Sequence, residues 1–252
     1  MGIKKIITHG GEFHADEISA IALFYAVNKR TRDQIYIERK FAVTQEELTD
    51  SSIMIIDIGR EYNSALSNLD HHQDAKLDAS NMLMIDYLLM MGEDIRILTR
   101  LRDLLFQRVS DIDLGKAKPF SYEYSNLIKG CVDFEQALEM ASGIIWRMIV
   151  NIEKSILDEE RYKSLPKVGR VAVQDDTNII LGWKDLAFGT GVCFLVCPNV
   201  RGGWNLISCD SDLYCISESP NQIFRHNTGF IAVYLTKEEA IEAGTSFKVK
   251  FL

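Results

Sequence analysis

Three short apolar runs in the first 72 residues each hand over to imidazoles or carboxylates at their C-terminal end, and this recurrence narrows the folds open to the chain. Ile3-Lys-Lys-Ile-Ile-Thr8 runs into His9 and then His14-Ala-Asp16. Ile53-Met-Ile-Ile56 ends on Asp57, and the short approach Ala65–Leu69 ends on Asp70-His71-His72. Helical patterns stand between strands. Asp16–Asn28 places Ile18, Ile21, Ala22 and Tyr25 on one face, Ile35–Phe41 follows as a strand, and Thr44 with Glu47 forms a capping box. Such alternation predicts an α/β fold with a mainly parallel sheet flanked by helices. Ligands of such sheets bind beyond the carboxyl ends of the strands, so His9, Asp57 and Asp70 are expected to face one crevice.

Farther along, Met82–Met91 reads as a core helix that stops at Gly92, and Glu93–Ile112 as a second helix. Asp133 with Gln136 caps a long helix running to about Leu157, with a stripe at Phe134, Leu138, Ala141, Ile145, Met148 and Ile152. Charged residues and Pro166 then interrupt the pattern. Short strands are predicted at Arg170–Val173, Asn178–Leu181, Val192–Val196 and Trp204–Ser208, with a Gly202-Gly203 turn, and Thr236 with Glu239 caps a final helix. The division expected is a metal-binding domain over 1–158 and a smaller α+β domain over 159–252.

The balance of 28 basic against 36 acidic residues, a net charge of −8, argues against tight nonspecific binding to nucleic acid. It leaves a nuclease open, because bound cations offset site carboxylates locally. No apolar run approaches bilayer length and no secretory signal precedes the first strand, so a cytoplasmic location is expected. Five cysteines, an odd number, do not suggest a disulfide framework. Cys193 and Cys197 are expected on one face of a strand as small core residues, and no Cys-x2-Cys knuckle for zinc is present.

His14-Ala-Asp16 lies where a loop meets a helix N-terminus, whose backbone N–H groups favour anions. His9, His14, Asp16 and Asp57 offer donors for one divalent cation; Asp57, His71 and Asp113 offer donors for another. Two cations about 3.5–4 Å apart clamp a phosphoryl group and activate water. Asp57 is the natural shared carboxylate, since its strand lies between the two histidine clusters. Mixed nitrogen and oxygen donors suit manganese, zinc or iron. A lone strand-end histidine is ordinarily structural; the repeated pattern points to a metal-dependent hydrolase.

Thr8-His-Gly-Gly-Glu-Phe-His-Ala-Asp-Glu17, Asp57-Ile-Gly-Arg-Glu-Tyr62, Leu69-Asp-His-His-Gln73 and Val109-Ser-Asp-Ile-Asp-Leu-Gly115 resemble, in order, the motifs of the MYG1 family of the DHH phosphoesterase superfamily. Leu195-Val-Cys-Pro-Asn-Val-Arg-Gly-Gly-Trp204 and Ile223-Phe-Arg-His-Asn-Thr-Gly-Phe-Ile231 resemble its C-terminal segments. The resemblance implies a two-domain, manganese-type phosphodiesterase with 3'-5' exonuclease activity on RNA or short oligonucleotides. It further implies that His9, His14, Asp16, Asp57, His71 and Asp113 ligate two divalent metal ions. Manganese is expected first, with magnesium, zinc or iron as alternatives. On the same grounds Asp70 would orient the cluster, and His72 would touch the substrate phosphate or protonate the leaving oxygen. His226, beside Arg225 and Gly229, would bring a phosphate contact from the second domain. Two departures stand out: Ser110 replaces a frequently acidic residue, and the segment after His72 is short and rich in methionine.

Two further readings compete with the exonuclease. One keeps the metals but takes pyrophosphate or a cyclic or short dinucleotide; the other is a non-catalytic metal-binding regulatory protein. A basic, aromatic-lined channel around Trp183, Trp204, Arg201 and Arg225 would favour the nuclease, and a closed pocket the small substrate.

Overall fold

The computed structural model describes residues 2–28 and 34–247, which divide into two compact units, Met1–Glu153 and Lys154–Leu252. In the first unit the order is β1 (Lys5–His9), α1 (Ala15–Asn28), β2 (Tyr36–Lys40), α2 (Gln45–Thr49), β3 (Ile53–Ile56), β4 (Tyr62–Asn63) and β5 (Asn68–Leu69). Helices follow: α3 (Ser80–Met90), α4 (Ile95–Leu101), α5 (Gln107–Asp113), α6 (Tyr124–Lys129) and α7 (Phe134–Ser164), the last of which contains the division between units.

The sheet order is β2-β1-β3-β5-β4, with β1–β2, β1–β3 and β3–β5 parallel and only β4 antiparallel. The α/β class with a mainly parallel sheet is therefore observed. Its two faces follow from alternation along the strands. Ile7, Ile53 and Ile55 pack with Val43 and Leu48 on one side. On the other side of the unit lies α1, buried without interruption from Ala15 to Tyr25 and packed against α3, α5 and α6. A helix apolar on all sides has no solvent face, which is why its periodicity is weak in the sequence.

The helix expected over Glu93–Ile112 is present, but a π-helical turn at Arg102–Phe106 divides it into α4 and α5. There the Gln107 N–H bonds the Arg102 carbonyl five residues back, and Asn81 Nδ2 donates to the Phe106 carbonyl at 2.7 Å. One extra residue per turn rotates everything beyond it, and α5 ends on Asp113.

In the second unit, β6 (Lys167–Val168), β7 (Val171–Val173), α8 (Trp183–Ala187), β8 (Phe194–Pro198), β9 (Trp204–Ser208), β10 (Gln222–Arg225), β11 (Ile231–Tyr234) and α9 (Lys237–Thr245) follow α7. The sheet runs β10-β11-β9-β8-β7-β6 and is antiparallel except for β7–β8. One face, with Phe194, Val196 and Leu206, packs with Ala240 of α9; the other, with Leu195 and Ile207, packs with Tyr162 of α7 and Trp183 of α8.

Several sequence expectations change here. Helix α7 continues to Ser164, because its charged residues are themselves good helix formers, and ends just before Pro166. Asn178–Leu181 is not a strand: Gln174 Nε2 holds the Asp176 and Asn178 carbonyls, and Leu181 N–H donates to Asp158. Strands β10 and β11 were not expected. Cys193 and Cys197 lie on opposite faces, in separate core clusters, because Cys193 precedes the strand and escapes its alternation. Of the methionines in the expected core helix, Met82 and Met84 are buried while Met90 and Met91 are exposed.

Candidate metal centre

Parallel pairing sets the site. Thr8 is opposite Ile56 and Ile56 is opposite Leu69, so the next residues, His9, Asp57 and Asp70, leave the sheet side by side. Asp57 does so with φ +59, a left-handed conformation that a short polar side chain tolerates better than a branched one. Backbone of this kind recurs at functional sites, where surrounding structure holds it in place. Here the Asp57 N–H donates to the Leu69 carbonyl at 3.1 Å, and the Ser80 hydroxyl at the start of α3 donates to Asp57 Oδ1 at 3.0 Å.

The buried Asp57 carboxylate faces both histidine clusters. Its Oδ2 lies 3.4 Å from His9 Nε2, while Oδ1 lies 3.2 Å from His71 Nε2 and 3.6 Å from His72 Nδ1. Asp113 Oδ2 approaches His71 Nε2 to 3.4 Å, completing the reach from β1 to α5. Donor atoms gather in three sets within 4.8 Å: His9 with His14, Glu17 and Asp57; Asp57 with His71 and His72; and His14 with Asp16 and Asp113. The six residues expected as ligands thus come together. Asp16 falls with His14 and Asp113 rather than with His9 and Asp57, and His72 joins the Asp57 set.

Glu17 was missed. It is fully buried, accepts the His14 N–H with both oxygens at 2.8 Å and lies 3.1 Å from His9 Nε2. Its position three residues into a helix start is the back half of a capping box, and that structural role is the signal that hides it. Ser110, by contrast, uses its buried hydroxyl to accept the Ala79 N–H at 3.1 Å ahead of α3.

Asp70 is 1% exposed and works through hydrogen bonds. Its Oδ1 accepts His72 Nδ1 at 2.7 Å and the His72 N–H at 3.0 Å, and its Oδ2 accepts the Arg60 N–H at 2.6 Å. Asp70 thus fixes the half-exposed His72 ring through Nδ1.

The charges explain the proton affinities. The Glu17 carboxylate beside His9 raises its pKa to about 9 against the opposing effect of burial. Burial lowers the His71 pKa, but Asp57 and Asp113 outweigh it and the net shift is upward. Burial pushes the Asp57 carboxyl up, yet the surrounding imidazoles hold it below the usual range. Asp16 is raised well above it by burial and by the carboxylates of Asp57, Glu17 and Asp113. Asp113 is raised by burial and by Asp57.

The donor set fits divalent cations. His9 Nε2, His71 Nε2 and both Asp16 oxygens are buried without a hydrogen bond of normal geometry among the described residues. Buried carboxylates in such a cluster are costly unless positive charge compensates them. Among the described residues the grouped donors include no cysteine.

The second unit treats its expected contacts differently. Arg225 Nε donates to the Ile216 carbonyl at 2.6 Å. Gly229 takes φ +68, and a Cβ there would clash with Cys215 Sγ and sit 2.9 Å from the Ile216 carbonyl, so the turn itself requires a glycine. The half-buried His226 ring bonds Thr228 Oγ1 at 2.9 Å and packs on Phe230. Trp183 is buried core, and Trp204 lies under the Lys237 ammonium.

Comparison with known proteins bears on the same stretch of chain. The model of an uncharacterised protein family (UPF0160), MYG1, matches residues 5–82, which carry β1 through the start of α3. A MYG1 protein of Chlamydia muridarum is 32% identical over 91 residues, 35% of this chain and 30% of that protein. One of Dictyostelium discoideum is 22% identical and covers 96% of this chain and 95% of its own length. Over these stretches the chain is similar to MYG1 proteins. A Schizosaccharomyces pombe MYG1 protein is 34% identical over 71 residues, 28% of this chain and 20% of its own length; the chain thus spans under a third of the first two relatives it matches. Among solved structures, RecJ of Thermus thermophilus in complex with Mg2+ covers 96% of this chain and 50% of its own, at 12% identity and a TM-score of 0.30. Among the described residues no helix is long and apolar enough to cross a membrane.

Proposed function

We propose that the chain is a divalent-metal-dependent phosphoesterase that hydrolyses phosphodiester bonds, acting as a MYG1-like exonuclease on RNA or short oligonucleotides with two manganese ions. The observation that carries this reading is the double reach of Asp57, one oxygen toward His9 and the other toward His71. A carboxylate placed in this way suits the shared ligand of a two-cation site. With Asp57 shared, His9, His14 and Glu17 would hold one cation and His71 and Asp113 the other, and Asp16 would stand between His14 and Asp113. Bound, the pair supplies compensating charge for a phosphoryl group and an activated water.

The protein's own groups do the rest. Asp70 fixes the His72 ring through Nδ1, so that a proton held at Nε2 can be given to the leaving oxygen. Burial of Asp57 excludes water from the shared carboxylate and strengthens its field on the imidazoles. The second unit, with His226 half-buried, would contribute to holding the substrate.

The test is metal analysis of the purified protein, followed by incubation with manganese and a panel of short RNAs, short DNAs, pyrophosphate and cyclic dinucleotides. Stepwise shortening of an oligonucleotide is the expected outcome. Turnover confined to pyrophosphate or cyclic dinucleotides would replace the exonuclease reading, and metal bound without turnover on any of them would favour a regulatory protein.

A further inference from the structure

Next to the histidine–carboxylate cluster, the first unit holds a cavity of about 290 Å³ that includes Asp16 and Asp113 in its lining and is therefore continuous with the candidate metal centre. The remaining lining is of a different character. Val109, Ile112 and Pro119 give it an apolar side, while Ser125, Asn126 and Lys129 bring a hydroxyl, an amide and an ammonium from α6.

Ser125 is the informative residue. It is 8% exposed, and its hydroxyl has no hydrogen-bond partner among the described residues. A buried hydroxyl without a partner is destabilising, so native proteins rarely keep one that nothing ever satisfies. The surrounding helix is held firmly: the Tyr124 hydroxyl lies 2.9 Å from Ser19 Oγ on α1, and Arg108 of α5 pairs with Glu123. Asn126 Nδ2 donates to the Phe120 carbonyl at 2.8 Å, which orients its amide. The cavity is thus a built feature with an unmet donor.

We propose that this cavity takes the terminal nucleotide unit of a phosphodiester substrate, with the base against Val109, Ile112 and Pro119 and its polar edge or sugar on Ser125 and Asn126. Lys129 attracts the phosphate backbone, and the scissile phosphate lies at the edge formed by Asp16 and Asp113. At this volume the cavity is at the small end of ligand pockets, about 300–1,000 Å³, which suits one nucleotide rather than a strand. The proposal rests on the phosphodiesterase reading and deepens it, because it puts end recognition in the metal-binding unit.

Steady-state kinetics with manganese on a dinucleotide and on bis(4-nitrophenyl) phosphate, which has no base or sugar, test it. Ser125→Ala and Lys129→Met are each expected to raise the KM for the dinucleotide roughly five- to tenfold relative to that for the nitrophenyl ester, with kcat changing less than KM. Equal changes on both substrates, or none, would overturn the assignment. A second readout needs no turnover: adenosine titrated calorimetrically, with and without manganese, is expected to bind the wild type and to bind Ser125→Ala several-fold more weakly. Absence of adenosine binding, or equal binding by wild type and variant, rejects the subsite. Failure of the wild type to hydrolyse either ester, by contrast, rejects the phosphodiesterase reading while the adenosine titration still reports on the cavity.

Discussion

The two units place similar polar residues in opposite circumstances. In the first, His9, His71 and Asp16 carry buried atoms without normal hydrogen bonds, and three other carboxylates crowd Asp16. In the second, Arg225 is bonded to the Ile216 carbonyl, His226 to Thr228 within its own turn, and a Cβ at Gly229 would meet Cys215 and Ile216. A polar group whose bonds close internally explains itself structurally. Titratable atoms left open inside the protein beside like charges, as at Asp16, are costly unless a cation compensates them, and this contrast supports the metal site proposed for the first unit.

The largest effect should come from the residue on which that contrast turns. Asp57→Asn keeps a side chain that tolerates the left-handed backbone but withdraws the charge. Turnover is expected to fall by roughly a thousandfold, together with loss of bound metal by elemental analysis. Full metal content in the variant would break the assignment of Asp57 as a shared ligand. Next in size is Gly229→Ala, which forces a Cβ against Cys215 and the Ile216 carbonyl at positive φ. It should cost the second unit about 2–4 kcal/mol in thermal or denaturant unfolding, with metal content unchanged. A silent substitution would show that the turn relaxes and leave Gly229 open to a role at a ligand.

Proton competition gives an intermediate effect. His9 is protonated below about 9 in the metal-free protein, and an imidazole must be neutral to ligate. Manganese affinity should therefore rise roughly tenfold per pH unit between pH 6.5 and 8.5 from this group alone. The stability relation runs the other way without metal. A raised imidazole pKa contributes fully below the ordinary value near 6.5 and is lost as pH rises through about 9, so the metal-free protein should melt at lower temperature at pH 9 than at pH 6.5. Metal affinity independent of pH would remove His9 from the ligand set.

Much of the first unit was legible because one physical rule serves both fold and site. Parallel strands end on the same edge, so His9, Asp57 and Asp70 could be placed together from the apolar runs before them. Glu17 was illegible because capping a helix and facing His9 require the same residue. Asp113 depends on a π-helical turn that no periodicity announces, since α4 and α5 read as one continuous helix. In the second unit, β10 escaped notice because Ile223 and Phe224 are exposed, so no buried alternation marks that strand.

The smallest predicted effect sharpens the comparison most. His226 is half-buried, packs on Phe230 and bonds Thr228 only across a local turn, so His226→Ala should change stability by no more than about 1 kcal/mol. If the second unit only holds substrate, the variant should raise the KM for an oligonucleotide and leave metal content and kcat close to wild type. A fall in kcat with KM unchanged would mean that the imidazole acts on the reacting atoms. The second unit would then take part in the chemistry as well as in holding substrate.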